Sequence, residues 1–146
     1  MANLVAKMEV DVVAPAAEVW HALTDPAVIA EYFFGTKVET DWQPGSPITW
    51  SGEYEGKAYQ DKGEVVEVKP NQRLTVTHFS PMSGLPDEAE NYHTITYEIE
   101  ARGDTSRLSM SQDNNADEAE VEHARQTWSA MLDGLKSTVE GRRASG

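Results

Sequence analysis

The chain of 146 residues contains no cysteine. That removes disulfide scaffolds, thiol nucleophiles and cysteine-ligated metal or iron–sulfur centres from consideration. It is compatible with a reducing compartment, and a cytoplasmic location is the expectation. Long apolar runs are missing as well: none approaches the roughly 20 residues needed to span a bilayer, so no membrane insertion is expected. The opening MANLVAKMEVDVV alternates and holds a single lysine, unlike a signal or transit peptide. Positive charge is scarce, with 12 Lys and Arg against 25 Asp and Glu, for a formal net charge of −13. A nucleic-acid binder needs a basic stripe. The one local basic pair, Arg142-Arg143, lies after Gly141 in what reads as a flexible tail, 141–146. Nucleic acid is therefore excluded as a partner, and the acidic surplus serves solubility. The sequence has no phosphate-cradling glycine loop, no G-x-S-x-G and no H-E-x-x-H. Glu120, Glu122 and His123 are close in sequence but read as an exposed acidic helix face, so no metal and no cofactor is expected.

What the chain does have is a regular order of amphipathic elements that fits one domain, 1–146. Leu4 to Val13 alternates, with Leu4, Ala6, Met8, Val10 and Val12 on one side, as a half-buried strand does. Two short helices follow within 15–34. Pro15 suits a helix start, and Ala16, Val19, Trp20 and Leu23 recur at helical spacing. Asp25 is the expected N-cap of the second helix with Pro26 at its first position; Ile29, Tyr32 and Phe33 form its apolar face, and Gly35 closes it. Strands are then expected over 36–42, 46–54, 57–69, 72–79, 91–101 and 106–112. Turns at Pro44-Gly45, Glu55-Gly56, Pro70-Asn71 and Arg102-Gly103-Asp104 separate most of them. The longest loop is Ser80 to Glu90.

The last element is a long helix capped by Asn115 or Asp117, with acidic residues in its first turns, where they complement the helix dipole. Val121, Ala124, Trp128, Met131, Leu132, Leu135 and Val139 form one stripe, and Gly141 ends the pattern. About 24 residues make a rod of roughly 35 Å, matching a ten-residue strand of roughly 33 Å. One helix can therefore lie along a whole sheet, and the short helix pair can close one end.

Four motifs carry a resemblance to a known family: VWHALTDPAVIAEYF at 19–33, the W-x-P-G turn at Trp42 to Gly45, GEVVEVKPNQRLTVT at 63–77, and TWSAMLDGLKSTVE at 127–140. In this order they resemble the START-like, helix-grip superfamily (SRPBCC), and within it the AHSA-type branch named after the activator of a heat-shock chaperone's ATPase. The chain departs from that branch at Ser46, where a second glycine is common, and at Thr127, where Gly-Trp is common. The resemblance implies an α+β helix-grip fold: strand, two helices, six strands and a long helix. A curved antiparallel seven-stranded sheet would wrap the C-terminal helix around an internal cavity.

A cavity of that kind suits a small hydrophobic or aromatic molecule, and a non-enzymatic ligand-binding domain is the leading reading. It calls for a mostly apolar pocket of a few hundred Å³. The expected walls are Phe33, Trp50, Val66, Val76, Ile95, Tyr97, Met110, Trp128, Met131 and Leu135. The polar groups that would give specificity are His78, His93 and Gln112. Each of these three has an ordinary structural role as its alternative, as a side chain satisfied within the core. Two other readings stand beside it: a cyclase-like or hydrolase-like enzyme using a cavity histidine, and a chaperone ATPase activator or stress-response protein. A homodimer is compatible with all three. Ser80 and His78 are not a dyad, since two residues along a strand are roughly 7 Å apart.

Overall fold

The computed structural model describes residues 4–33, 35–54, 56–80, 86–115 and 117–145. Within the earlier assignments, Phe34, Glu55 and 81–85 of the Ser80–Glu90 loop lie outside the described residues. The elements are β1 (Leu4–Val12), α1 (Ala16–Thr24), α2 (Pro26–Tyr32), β2 (Lys37–Glu39), β3 (Pro47–Tyr54), β4 (Lys57–Lys69), β5 (Arg73–His78), β6 (His93–Arg102), β7 (Thr105–Asn115) and α3 (Glu118–Ser145). Strands pair antiparallel in the order β1-β7-β6-β5-β4-β3-β2. The helix pair carries the chain from one sheet edge, β1, to the other, β2. This is the helix-grip fold.

The local chemistry of the helix pair explains its tight corner. Asp25 ends α1, its N–H donating to His21 O at 2.9 Å, and also caps α2, its Oδ1 accepting from Ala27 N at 2.9 Å. Pro26 then opens α2 where a missing N–H costs nothing. Gly35 takes φ +74 to leave the helix. Pro15 sits one residue before the first helical position, in extended geometry.

One strand bends the sheet. β4 pairs with β3 from Lys57 to Glu64 and with β5 from Val65 to Lys69, so a single strand serves both halves. At the crossing, Lys62 and Phe79 exchange two backbone hydrogen bonds. Gly63 lies so near β5 that a Cβ there would stand 1.8 Å from Thr77 O.

The core lies between the concave face of the sheet and α3. Alternation delivers Ala6, Met8 and Val12 from β1, Leu108 and Met110 from β7, Ile95 from β6 and Val76 from β5. Against them α3 sets Trp128, Met131, Leu132, Leu135 and Val139. Asp117 caps α3, accepting from Glu120 N at 2.8 Å, while Asn115 turns inward instead. Three element ends differ from the sequence reading by three residues or more. β2 spans only Lys37–Glu39, because Asp41 accepts from Gln43 N in a side-chain turn and Trp42 takes φ +60. β7 continues to Asn115. α3 runs through Gly141 to Ser145: the last turn keeps its helical backbone, so Gly141 ends the apolar stripe but not the helix.

Candidate functional site

The stripe of α3 does not seal the whole concave face. A recess remains where the end of α2, the β2–β3 edge and the middle of α3 converge. Ile29, Tyr32 and Phe33 reach it from α2 and Leu23 from α1. Val38, Trp42, Ile48 and Trp50 come from the sheet edge, Leu74 and Val76 from β5, Tyr97 from β6 and Met131 from α3. Five aromatic rings thus meet at one apolar site, with Phe33, Trp42, Trp50 and Tyr97 only half-buried. Its volume is about 30 Å³, room for a water or two. The few hundred Å³ expected of a preformed cavity is not open in this conformation; the rings fill most of the space they enclose.

Phe33, Trp50, Val76, Tyr97 and Met131, expected as walls, do line the recess. Ile95, Met110, Leu135 and Trp128 are buried in the adjoining core and do not line it. Val66 departs from the expectation altogether. A β-bulge between Val65 and Glu67 sends Val66 outward, 47% exposed, while Val65 keeps the inner face. Trp42 and Tyr32 complete the aromatic lining. Trp42 stands at the end of the run expected as a strand and takes a left-handed φ of +60; the W-x-P-G turn it opens is the sequence signal that marks it. Burial raises the Tyr97 hydroxyl well above the ordinary tyrosine range. The Tyr32 hydroxyl is raised by burial and by its neighbour Tyr97, so both stay protonated. Tyr32 donates to Ala22 O at 2.9 Å, whereas Tyr97 makes no hydrogen bond among the described residues.

The three polar candidates separate. Gln112 is buried in a side-chain chain: Trp128 Nε1 donates to its Oε1 at 2.7 Å, and its Nε2 donates to Asn115 Oδ1 at 2.9 Å. Asn115 Nδ2 in turn donates to Leu4 O and Gln112 O. Its amide is therefore committed to the core. His93 donates from Nδ1 to Asp113 O at 2.8 Å, with Nε2 at 3.5 Å from Glu120 of α3, and is not part of the lining. His78 sits in an arc of rings. Its centroid is 5.0 Å from Trp50 and 6.5 Å from Trp128, and Trp128 lies 5.6 Å from Phe33, all edge-on. Its Nε2 is 2.9 Å from Asp61 Oδ2. Asp61 stands beside Trp50 in the β3–β4 ladder. Alternation could have found it, since Asp61, Gly63 and Val65 share one side of β4 up to the bulge.

Residues 13–140 match the family described as activator of Hsp90 ATPase homolog 1-like protein. The chain belongs to that family. This AHSA1-type domain is also similar to a solved solution structure from Cytophaga hutchinsonii, with 41% identity over 99% of each chain and a TM-score of 0.85. The fold alone is shared with CalU16 from Micromonospora echinospora, at 18% identity over 99% of this chain and 88% of that one, TM-score 0.73. It is shared likewise with the Aha1 dimer from Colwellia psychrerythraea, at 16% identity over 94% and 96%, TM-score 0.73. None of the curated proteins matches the chain. Among the described residues of the AHSA1-type domain, no group of three or more His, Asp or Glu could hold a metal ion. No helix there is long and apolar enough to cross a membrane.

Proposed function

We propose that this protein binds a small, largely apolar aromatic molecule at the recess between α2, the β2–β3 edge and α3, without transforming it. One observation carries the reading: five aromatic side chains and Met131 converge on a half-exposed apolar recess whose only tyrosine hydroxyl without a described partner belongs to Tyr97. Aromatic and thioether side chains give large contact area and adapt their shape to a guest. At about 30 Å³ the recess admits a ligand only when Phe33 and the β2–β3 edge move apart. A ligand burying about 300 Å² of apolar surface gains roughly 7.5 kcal/mol gross. Association and opening costs bring the net affinity to about micromolar or weaker.

The test combines native mass spectrometry of the purified protein with a thermal-shift screen of aromatic compounds, fatty acids and sterols. The expected result is stabilisation by aromatic compounds that is lost in Phe33→Ala and Trp50→Ala and retained in Val66→Ala. Absence of stabilisation across the screen, with no co-purifying mass, would sink the reading.

A further inference from the structure

The buried Nδ1 of His78 is a polar atom with no hydrogen-bond partner among the described residues. An imidazole nitrogen withdrawn from water without a partner is costly, and such atoms in native structures call for an explanation. The proton arrangement follows from Asp61. A carboxylate can only accept, so its 2.9 Å contact places the imidazole proton on His78 Nε2. In that singly protonated tautomer Nδ1 is a bare lone pair. His78 and Asp61 are 15% and 18% exposed, so the pair is largely shielded from solvent and its geometry is held.

The rings around this imidazole are aromatic: Trp50 and Trp128 both pack edge-on to His78, with centroids 5.0 and 6.5 Å away. Trp50 also lines the recess, and so does Phe33 at the far end of the same arc. His78 is not itself part of the lining, but its ring centroid is only 5.0 Å from that of Trp50, so displacing the half-buried Trp50 ring is the step that would bring a guest to it.

We infer that His78, oriented by Asp61, is the specificity-determining hydrogen-bond acceptor of the recess, and that it selects apolar aromatic ligands bearing a hydroxyl, a phenol or an enol. A ligand O–H would donate to Nδ1 and remove the unpaired buried acceptor. An ether, ketone or carboxylate oxygen at the same place carries no proton and would face the lone pair with another. This inference rests on the binding reading above and adds the ligand's polar group to it. Asp61 acts as a positioning residue, because it fixes the tautomer without touching the guest.

The probes are 2-naphthol and its methyl ether, 2-methoxynaphthalene, which share an apolar body and differ in the donor. Titration calorimetry on the whole chain is expected to show 2-naphthol binding about tenfold tighter, the scale of one hydrogen bond to a buried unpaired acceptor. The ratio is expected to collapse toward one in His78→Phe. It is expected to fall in Asp61→Asn, whose amide can present an N–H to Nε2 and move the ring proton to Nδ1. Long-range nitrogen NMR of histidine-labelled protein is expected to show His78 protonated at Nε2 and its Nδ1 resonance moving with 2-naphthol alone. Equal affinities of the two probes for the unaltered protein would overturn the hydroxyl selection and leave the recess reading standing. Binding of neither would overturn both. A proton found on Nδ1 in the free protein would overturn the acceptor role directly, whatever the probes do.

Discussion

Trp128 on α3 donates its indole N–H to the side-chain oxygen of Gln112 on β7, at 2.7 Å and out of contact with water. This is where the long helix is keyed to the sheet: apolar contacts would tolerate sliding by a fraction of a turn, and a buried directional bond does not. Gln112→Leu is expected to cost about 2–3 kcal/mol, because it leaves the indole N–H and the Asn115 Oδ1 without their partner in a dry site. Urea unfolding monitored by tryptophan fluorescence checks this. A loss below about 0.5 kcal/mol would show that the network contributes no keying.

Much of this fold is legible from local chemistry. Asp25 and Pro26 announce the corner between α1 and α2, and both occupy the expected positions. Strand alternation places Leu74, Val76 and His78 opposite Tyr97, Ile95 and His93 on one face, and the register agrees. The failures share a cause: period-2 and period-3.6 patterns carry no information about where a period is interrupted. Val66 follows the β-branched pattern of its strand, yet the bulge beside it turns it outward. Trp42 extends an alternating run, but the Asp41 side-chain turn has already ended the strand. For the site, the aromatic content of the recess was readable, whereas its small volume was not. Volume depends on how closely α2 approaches α3, and that is decided by side-chain packing between residues a hundred positions apart.

Gly63 fixes the bend of β4 over β5. A Cβ there would lie 1.8 Å from Thr77 O and 2.5 Å from Thr77 C, against backbone that is itself paired in the sheet. Gly63→Ala is therefore expected to cost about 3 kcal/mol or more and to disturb the adjacent His78. The denaturation midpoint measures the first effect and the His78 ring resonances the second. An alanine variant with unaltered stability would mean that the two strands are not in this close contact.

Two glycines of α3 are expected to respond to alanine in opposite ways. At Gly141 a Cβ meets nothing within 4 Å and the residue is helical, so Gly141→Ala should gain up to about 1 kcal/mol from helix propensity, less any fraying of the last turn. At Gly134 the same Cβ would lie 3.1 Å from Tyr32 O and 3.3 Å from Tyr32 Cβ. There the propensity gain is opposed by a crowded contact with the end of α2 that only a shift of α2 relieves, and a net loss of about 1 kcal/mol is expected. Paired thermal melts decide the matter. Equal gains in both variants would show that α2 yields freely, and the recess beside Tyr32 with it.

Glu140 ties the far end of α3 to β1 and gives the fold an acid-sensitive contact. Its Oε2 accepts from Lys136 Nζ at 2.6 Å and from Val13 N at 2.8 Å, while Lys136 also donates to Asp11 O. Lys136 first, and then the Val13 N–H, hold the Glu140 carboxyl below its ordinary value of 4.5. The folded protein therefore binds this proton less readily than the unfolded chain. The resulting stability is present in full above the unfolded value and is lost as pH falls through the lower, folded one. Because the group is partly exposed, the contribution is about 1 kcal/mol. Glu140→Gln is expected to lower the urea midpoint at pH 7, and the gap between the two proteins should narrow as pH falls below 4.5. A stability gap between them that is as large at pH 3 as at pH 7 would assign the effect to lost packing rather than to the charge.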